Sequence, residues 1–180
     1  MLRIRIPGRE LWDSKNERFV HTKAQDLQFE HSLVSLSKWE SKYCKPFLHD
    51  NNKTNDELMD YIKFMTLTQN VDPEVYTRLG DDHIQLISDY IDAPMTATTF
   101  SKSDKKWNSN EIITSELIYY WMVSLNIPFE CQKWHLNRLL TLIRVCNIKN
   151  APPKKRSTRE ILNRNAALNE ARRQKLNSKG

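Results

Sequence analysis

The stretch Glu111–Cys146, EIITSELIYYWMVSLNIPFECQKWHLNRLLTLIRVC, decides the fold. Between Ile112 and Leu125 its polar residues are Thr114, Ser115, Glu116 and Ser124. A helix that is apolar nearly all round is expected to be covered by other elements. Asn126-Ile127-Pro128 interrupts it, because proline crowds the preceding residue out of helical geometry. From Lys133 to Asn147 the pattern changes: Leu136, Leu139, Leu140, Ile143 and Cys146 share one side, and Asn137, Arg138, Thr141 and Arg144 the other. The short link predicts an antiparallel helical hairpin. Fully burying each large apolar side chain contributes about 1.5–3 kcal/mol, so this pair is expected to dominate stability.

Upstream, the chain supplies elements to pack against that hairpin. Leu2, Ile4 and Ile6 alternate with Arg3 and Arg5 and stop at Pro7-Gly8, the signature of a half-buried strand. Leu11-Trp12 and Arg18-Phe19-Val20 flank a polar DSKNE turn and predict a hairpin, and Leu27 and Phe29 suggest a further strand. Ser32 can cap a helix to about Ser41 that buries Leu33, Leu36 and Trp39, with Lys45-Pro46 stopping it. After a polar loop, Thr54-Asn55-Asp56-Glu57 is a capping box, and Leu58, Tyr61, Ile62 and Met65 form the apolar face beyond it. Asp72-Pro73 opens a short helix ended by Gly80; Asp81 caps another that carries Ile84, Ile87 and Ile91 and ends before Pro94. Met95–Phe100 reads as extended and Ser101–Ser109 as an exposed loop.

The fold class predicted is therefore mainly α with a small N-terminal β-hairpin (α+β): a globular domain over 1–150, β-rich to residue 30 and helical from 31, followed by a basic linker and arm over 151–180. Three glycines in 180 residues cannot furnish the positive-φ turns of an all-β fold, nor a glycine-rich phosphate loop. The net charge of +6 is uneven. Nine of the 28 basic residues and two of the 22 acidic ones lie in 151–180, leaving 19 and 20 for 1–150. A near-neutral body thus carries an arm of net charge +7. Ala151-Pro152-Pro153 is a stiff linker, and Ser157 or Thr158 can cap a helix to Leu176 whose apolar side, Ile161, Leu162, Leu168 and Leu176, is interrupted by Asn165, Asn169 and Arg172. Such a helix is marginal in isolation and is expected to order on a partner.

Candidate chemistry is thin. Cys131 and His135, four apart, could share a helix face, but two ligands do not make a metal site; a packed thiol beside a core-edge imidazole is the simpler reading. His21, His31, His49 and His83 show no repeated spacing, and nothing local marks Cys44, Cys131 or Cys146 as an activated nucleophile. Three cysteines without a CxxC predict free thiols in a reducing cytoplasm. Asp81, Asp82, Asp89 and Asp92 are explained by capping and a solvated face. No cofactor, metal or catalytic residue is expected. No apolar run approaches the ~20 residues of a membrane span, and MLRIRIPGRE lacks a signal-peptide core. The arm carries the functional expectation: Lys154, Lys155, Arg156, Arg159, Arg164, Arg172 and Arg173 for anionic partners, with Leu168 and Leu176 for a groove. A protein partner, nucleic acid phosphates and a merely solubilising disordered tail all remain open, and the lack of aromatic residues in the arm argues against single strands.

Three stretches, LQFEHSLVSLSKWESKYCKPFL, DYIDAPMTATTF with the Glu111–Asn150 segment, and NAALNEARRQKLNSKG, resemble a family of small proteins of tailed, siphovirus-type bacteriophages placed among the tail assembly chaperones. The resemblance implies a non-enzymatic assembly role, binding tape-measure and/or tail-tube subunits in the host bacterial cytoplasm, as an oligomer and away from membranes. A structural virion protein of connector, tail or capsid, clamping neighbours with its arm, is the alternative, and a nucleic-acid-binding protein is a second.

Overall fold

The computed structural model describes residues 1–13, 17–50, 52–100, 111–152 and 158–177. The expected loop Ser101–Ser109, the cap Ser157 and the basic triplet Lys154–Arg156 lie outside the described residues. The chain divides into two units, Met1–Asn147 and Ile148–Gly180.

The first unit begins with strand β1 (Leu2–Ile6), which pairs antiparallel with β4 (Gln25–Phe29), setting Leu2 opposite Phe29 and Ile4 opposite Leu27. The alternation turns Ile4, Ile6, Leu27 and Phe29 inward and leaves Arg3 and Arg5 in solvent. Between them β2 (Arg9–Asp13) and β3 (Arg18–Thr22) form the predicted hairpin. Arg78 ties both sheets together by donating to the Pro7 carbonyl at 3.1 Å and to Thr22 Oγ1 at 3.1 Å.

Helices follow: α1 (Leu33–Tyr43), α2 (Asn55–Met65), a 3-10 turn at Pro73–Arg78, α3 (Asp81–Asp92), α4 (Ser115–Ser124), a second 3-10 turn at Phe129–Lys133, and α5 (Leu136–Asn150). The protein is mainly helical with a small antiparallel β component. Ser32, Thr54 and Asp72 cap as their sequence contexts predict; Thr54 Oγ1 accepts from the Glu57 amide while Glu57 reaches back to the Thr54 amide at 2.8 Å. α1 is packed on by α2, α4 and the second 3-10 turn. Its Trp39 is fully buried, donates Nε1–H to the Glu57 carbonyl at 2.8 Å, and lies edge-on to Phe47, which stacks on Tyr61 at 4.0 Å. Ile118 and Met122 of α4 and Leu136, Leu139 and Ile143 of α5 complete the same core.

Five local expectations are corrected. α4 is not covered all round: Tyr120 is 65% and Val123 59% exposed, on the same side as Glu116. α5 begins at Leu136, three residues late, because Ser32 bridges to His135 and the Leu136 amide donates to the His31 carbonyl at 2.7 Å; that pairing holds the chain extended where a helix would start. Leu58 faces out, since Glu57 takes the inward position beside it. In α3 the N-cap is Gly80, and the buried face centres on Ile87 and Tyr90 with Ile84 exposed. Asn137 belongs to no solvent-facing stripe: its Nδ2 donates to the Ile91 and Ala93 carbonyls, both at 2.9 Å, closing the C-terminal end of α3.

Candidate functional site

The second unit contains one described helix, α6 (Thr158–Leu176). Of the predicted partner-binding residues, Arg159, Arg164, Leu168, Arg172, Arg173 and Leu176 lie on it, and all are exposed. At about 100° per residue, Leu168, Leu176 and Leu162 fall on one side, with Arg172 between the first two and Arg173 just beyond Leu162. These leucines are 63%, 46% and 74% exposed. Leu162, placed by the sequence on the apolar side of the arm but outside the predicted contact set, shares that side with Ala166 and Leu176.

In the first unit, folding assembles a polar cluster that no sequence spacing shows. The Met1 amino group sits 3.1 Å from Glu30 Oε2, and Glu30 Oε1 accepts from the Tyr90 hydroxyl at 2.7 Å. The Tyr90 carbonyl lies 2.9 Å from His135 Nε2. His135 Nδ1 accepts from the Asn137 amide at 3.3 Å, so the ring's proton sits on Nε2 and is donated to Tyr90. The His135 ring stands 5.1 Å from that of His31, which shares a 2.5 Å hydrogen bond with the Tyr61 hydroxyl. Burial, and then the neighbouring His135, push His31 down to about 3. Burial also lowers His135, against the pull of the Tyr90 carbonyl and of Glu30. Burial likewise raises Tyr61. A general base is most effective near the working pH. These histidines are instead neutral rings that tie the chain's N-terminal strand, α2, α3 and α5 together.

The remaining candidates resolve the same way. Cys131 is buried and its thiol is raised by that burial and then by Glu130, which disfavours the reactive thiolate. Among the described residues no group of three or more His, Cys, Asp or Glu is placed to hold a metal ion. Asp60 is held below its usual range by hydrogen bonds from Lys42 first, then Lys63 and Tyr43. A shallow depression on β1 and β4 is edged by Arg3, Arg5 and Asp26, with Arg5 and Asp26 3.9 Å apart and largely solvated. Such a pair contributes little. Among the described residues no helix is long and apolar enough to cross a membrane.

No protein-family model, curated protein or solved structure matches the chain.

Proposed function

We propose that the chain is a non-enzymatic bacteriophage tail morphogenesis protein that binds tape-measure and/or tail-tube subunits during assembly in the host cytoplasm. The observation that carries this reading is the face of α6, which presents Leu162, Leu168 and Leu176 together with Arg172 and Arg173, all of them exposed. The likeness of three stretches of the sequence to tail assembly chaperones supplies the class of partner. The polar groups of the body support it in a second way: Glu30, Glu40, Glu57, His31 and His135 each hydrogen-bond to another part of the fold.

Co-expression with the tail-tube and tape-measure proteins of the same phage tests the proposal. The full chain is expected to co-purify with at least one of them, and a chain ending at Asn150 is expected to lose it. Equal capture with and without the arm would overturn the reading. Purified virions separate the two structural alternatives: a transient assembly factor is absent from them, whereas a clamp protein is present in stoichiometric amounts. Binding to DNA or RNA that requires the arm and weakens steeply with salt would instead favour the nucleic-acid reading.

A further inference from the structure

The charge of this chain is separated in a way that its own fold does not require. The α6 face presents leucines and guanidinium groups together, so its counterpart must supply apolar contact and carboxylates together. An aliphatic surface would strand Arg172 and Arg173, and a bare polyanion would leave the leucines in water. The outer face of α3 has that composition. Asp82, Gln85, Asp89 and Asp92 follow one another along it, with the exposed Leu86 beside Asp82 and Asp89. α3 carries no Lys or Arg, and among the described residues none of its aspartates is ion-paired.

Two of those aspartates are also placed against the helix's own interest. Acids near an N-terminus are favoured by the helix dipole, but Asp89 and Asp92 stand at the C-terminal end, where the dipole repels them. The surroundings deepen the field. From Asp72 to Asp92 there are six acidic residues against Arg78 alone, a net of −5, and the Arg78 guanidinium is already engaged at Pro7 and Thr22. The twelve residues of α3 span about 18 Å, the length of α6 from Leu162 to Arg173.

We propose that α6 of one molecule docks on the outer face of α3 of a second copy, with Arg172 and Arg173 meeting Asp82 and Asp89 and the leucines of α6 covering Leu86. The inference rests on reading α6 as a partner-binding element, but not on the phage assignment. Each copy carries one donor and one acceptor surface, so the contact is head-to-tail and repeats along a ring or filament instead of closing at a dimer. The screened charges give it a clear salt signature.

Sedimentation velocity on the purified full-length chain tests it. The mean mass is expected to rise with concentration and to fall as salt rises from about 50 to about 500 mM. Arg172→Glu with Arg173→Glu, or Asp82→Lys with Asp89→Lys, should each weaken association roughly tenfold or more, and combining all four in one chain should restore it. Unchanged circular dichroism and melting of the variants would show that folding is intact. A monomer at every concentration overturns the proposal, as does association indifferent to either reversal or not rescued by the combination. If the chain is monomeric yet still captures tail proteins through its arm, self-docking fails while the morphogenesis reading stands; self-association without capture gives the reverse.

Discussion

Removing the Glu40 carboxylate should destabilise the first unit more than any other single polar change to it. Glu40 is buried on α1, and its two oxygens serve different elements: Oε1 accepts from the Phe47 amide at 2.9 Å, and Oε2 from the Ser115 amide at 2.6 Å, 75 residues on. Ser115 is the first residue of α4 and is itself fully buried, so the carboxylate is an anion at a helix N-terminus and the acceptor for an amide that the helix cannot satisfy. Both donors are backbone groups, so no side-chain substitution at position 40 deletes them. Glu40→Ala strands two buried N–H groups at about 1–3 kcal/mol each. It also loses roughly 0.3–1 kcal/mol of helix-dipole attraction, for a total of about 4 kcal/mol. Glu40→Gln keeps one acceptor oxygen and turns an NH₂ toward the other amide, so about half of that loss is expected. Urea unfolding followed by circular dichroism gives the free energies, and native-state hydrogen exchange should show the Ser115 and Phe47 amides losing protection in the alanine variant. A loss below ~1 kcal/mol for Glu40→Ala, or equal losses for both variants, would refute the donor-counting argument.

The buried histidine pair sets a pH dependence. His31 is held near 3 when folded against an ordinary 6.5, so the unfolded chain binds its proton first and stability falls as pH drops from about 6.5 toward 3. His135 is lowered too and adds in the same direction. Each fully engaged group contributes up to ~1.4 kcal/mol per pH unit, so melting curves between pH 6.5 and 4.5, above the ordinary carboxylate range, should show a steep slope that His31→Asn reduces. A flat wild-type profile in that window sinks the assignment. Gly8→Ala places a methyl 2.5 Å from the Thr22 carbonyl oxygen and 3.2 Å from the Ala24 nitrogen, both backbone atoms. It is expected to cost about 1–3 kcal/mol in thermal unfolding, and a neutral result would mean that the loop between β3 and β4 gives way. On α4, Tyr120→Ser and Val123→Ser should each change stability by about 0.5 kcal/mol or less, while Met122→Ala between them costs about 2–5 kcal/mol. Chemical denaturation that ranks the three alike would show Tyr120 and Val123 to be core after all.

What the sequence discloses and what it hides follow one division. Ser32, Thr54 and Asp72 are legible because a cap and the amide it serves lie within three residues, and Leu2, Ile4 and Ile6 because alternation is a local pattern. The late start of α5 is not legible, since backbone pairing with His31 and Ser32 overrides a helical period that is intact from Lys133. Nor are Glu40 and the two histidines, whose burial depends on partners far along the chain. α4 fails for a different reason: a segment apolar on every side has no moment, so its period cannot say which side faces out, and only Glu116, four before Tyr120 and seven before Val123, hints at it. In α6 the period is readable, but it places arginine among leucine, which satisfies neither a core nor a solvated surface. The outer face of α4 and the leucine-bearing face of α6 thus share a property: Tyr120 and Val123 on the one, and Leu162, Leu168 and Leu176 on the other, are exposed. Substitutions on such faces should move association and leave folding alone, which makes them the positions where binding can be separated experimentally from stability.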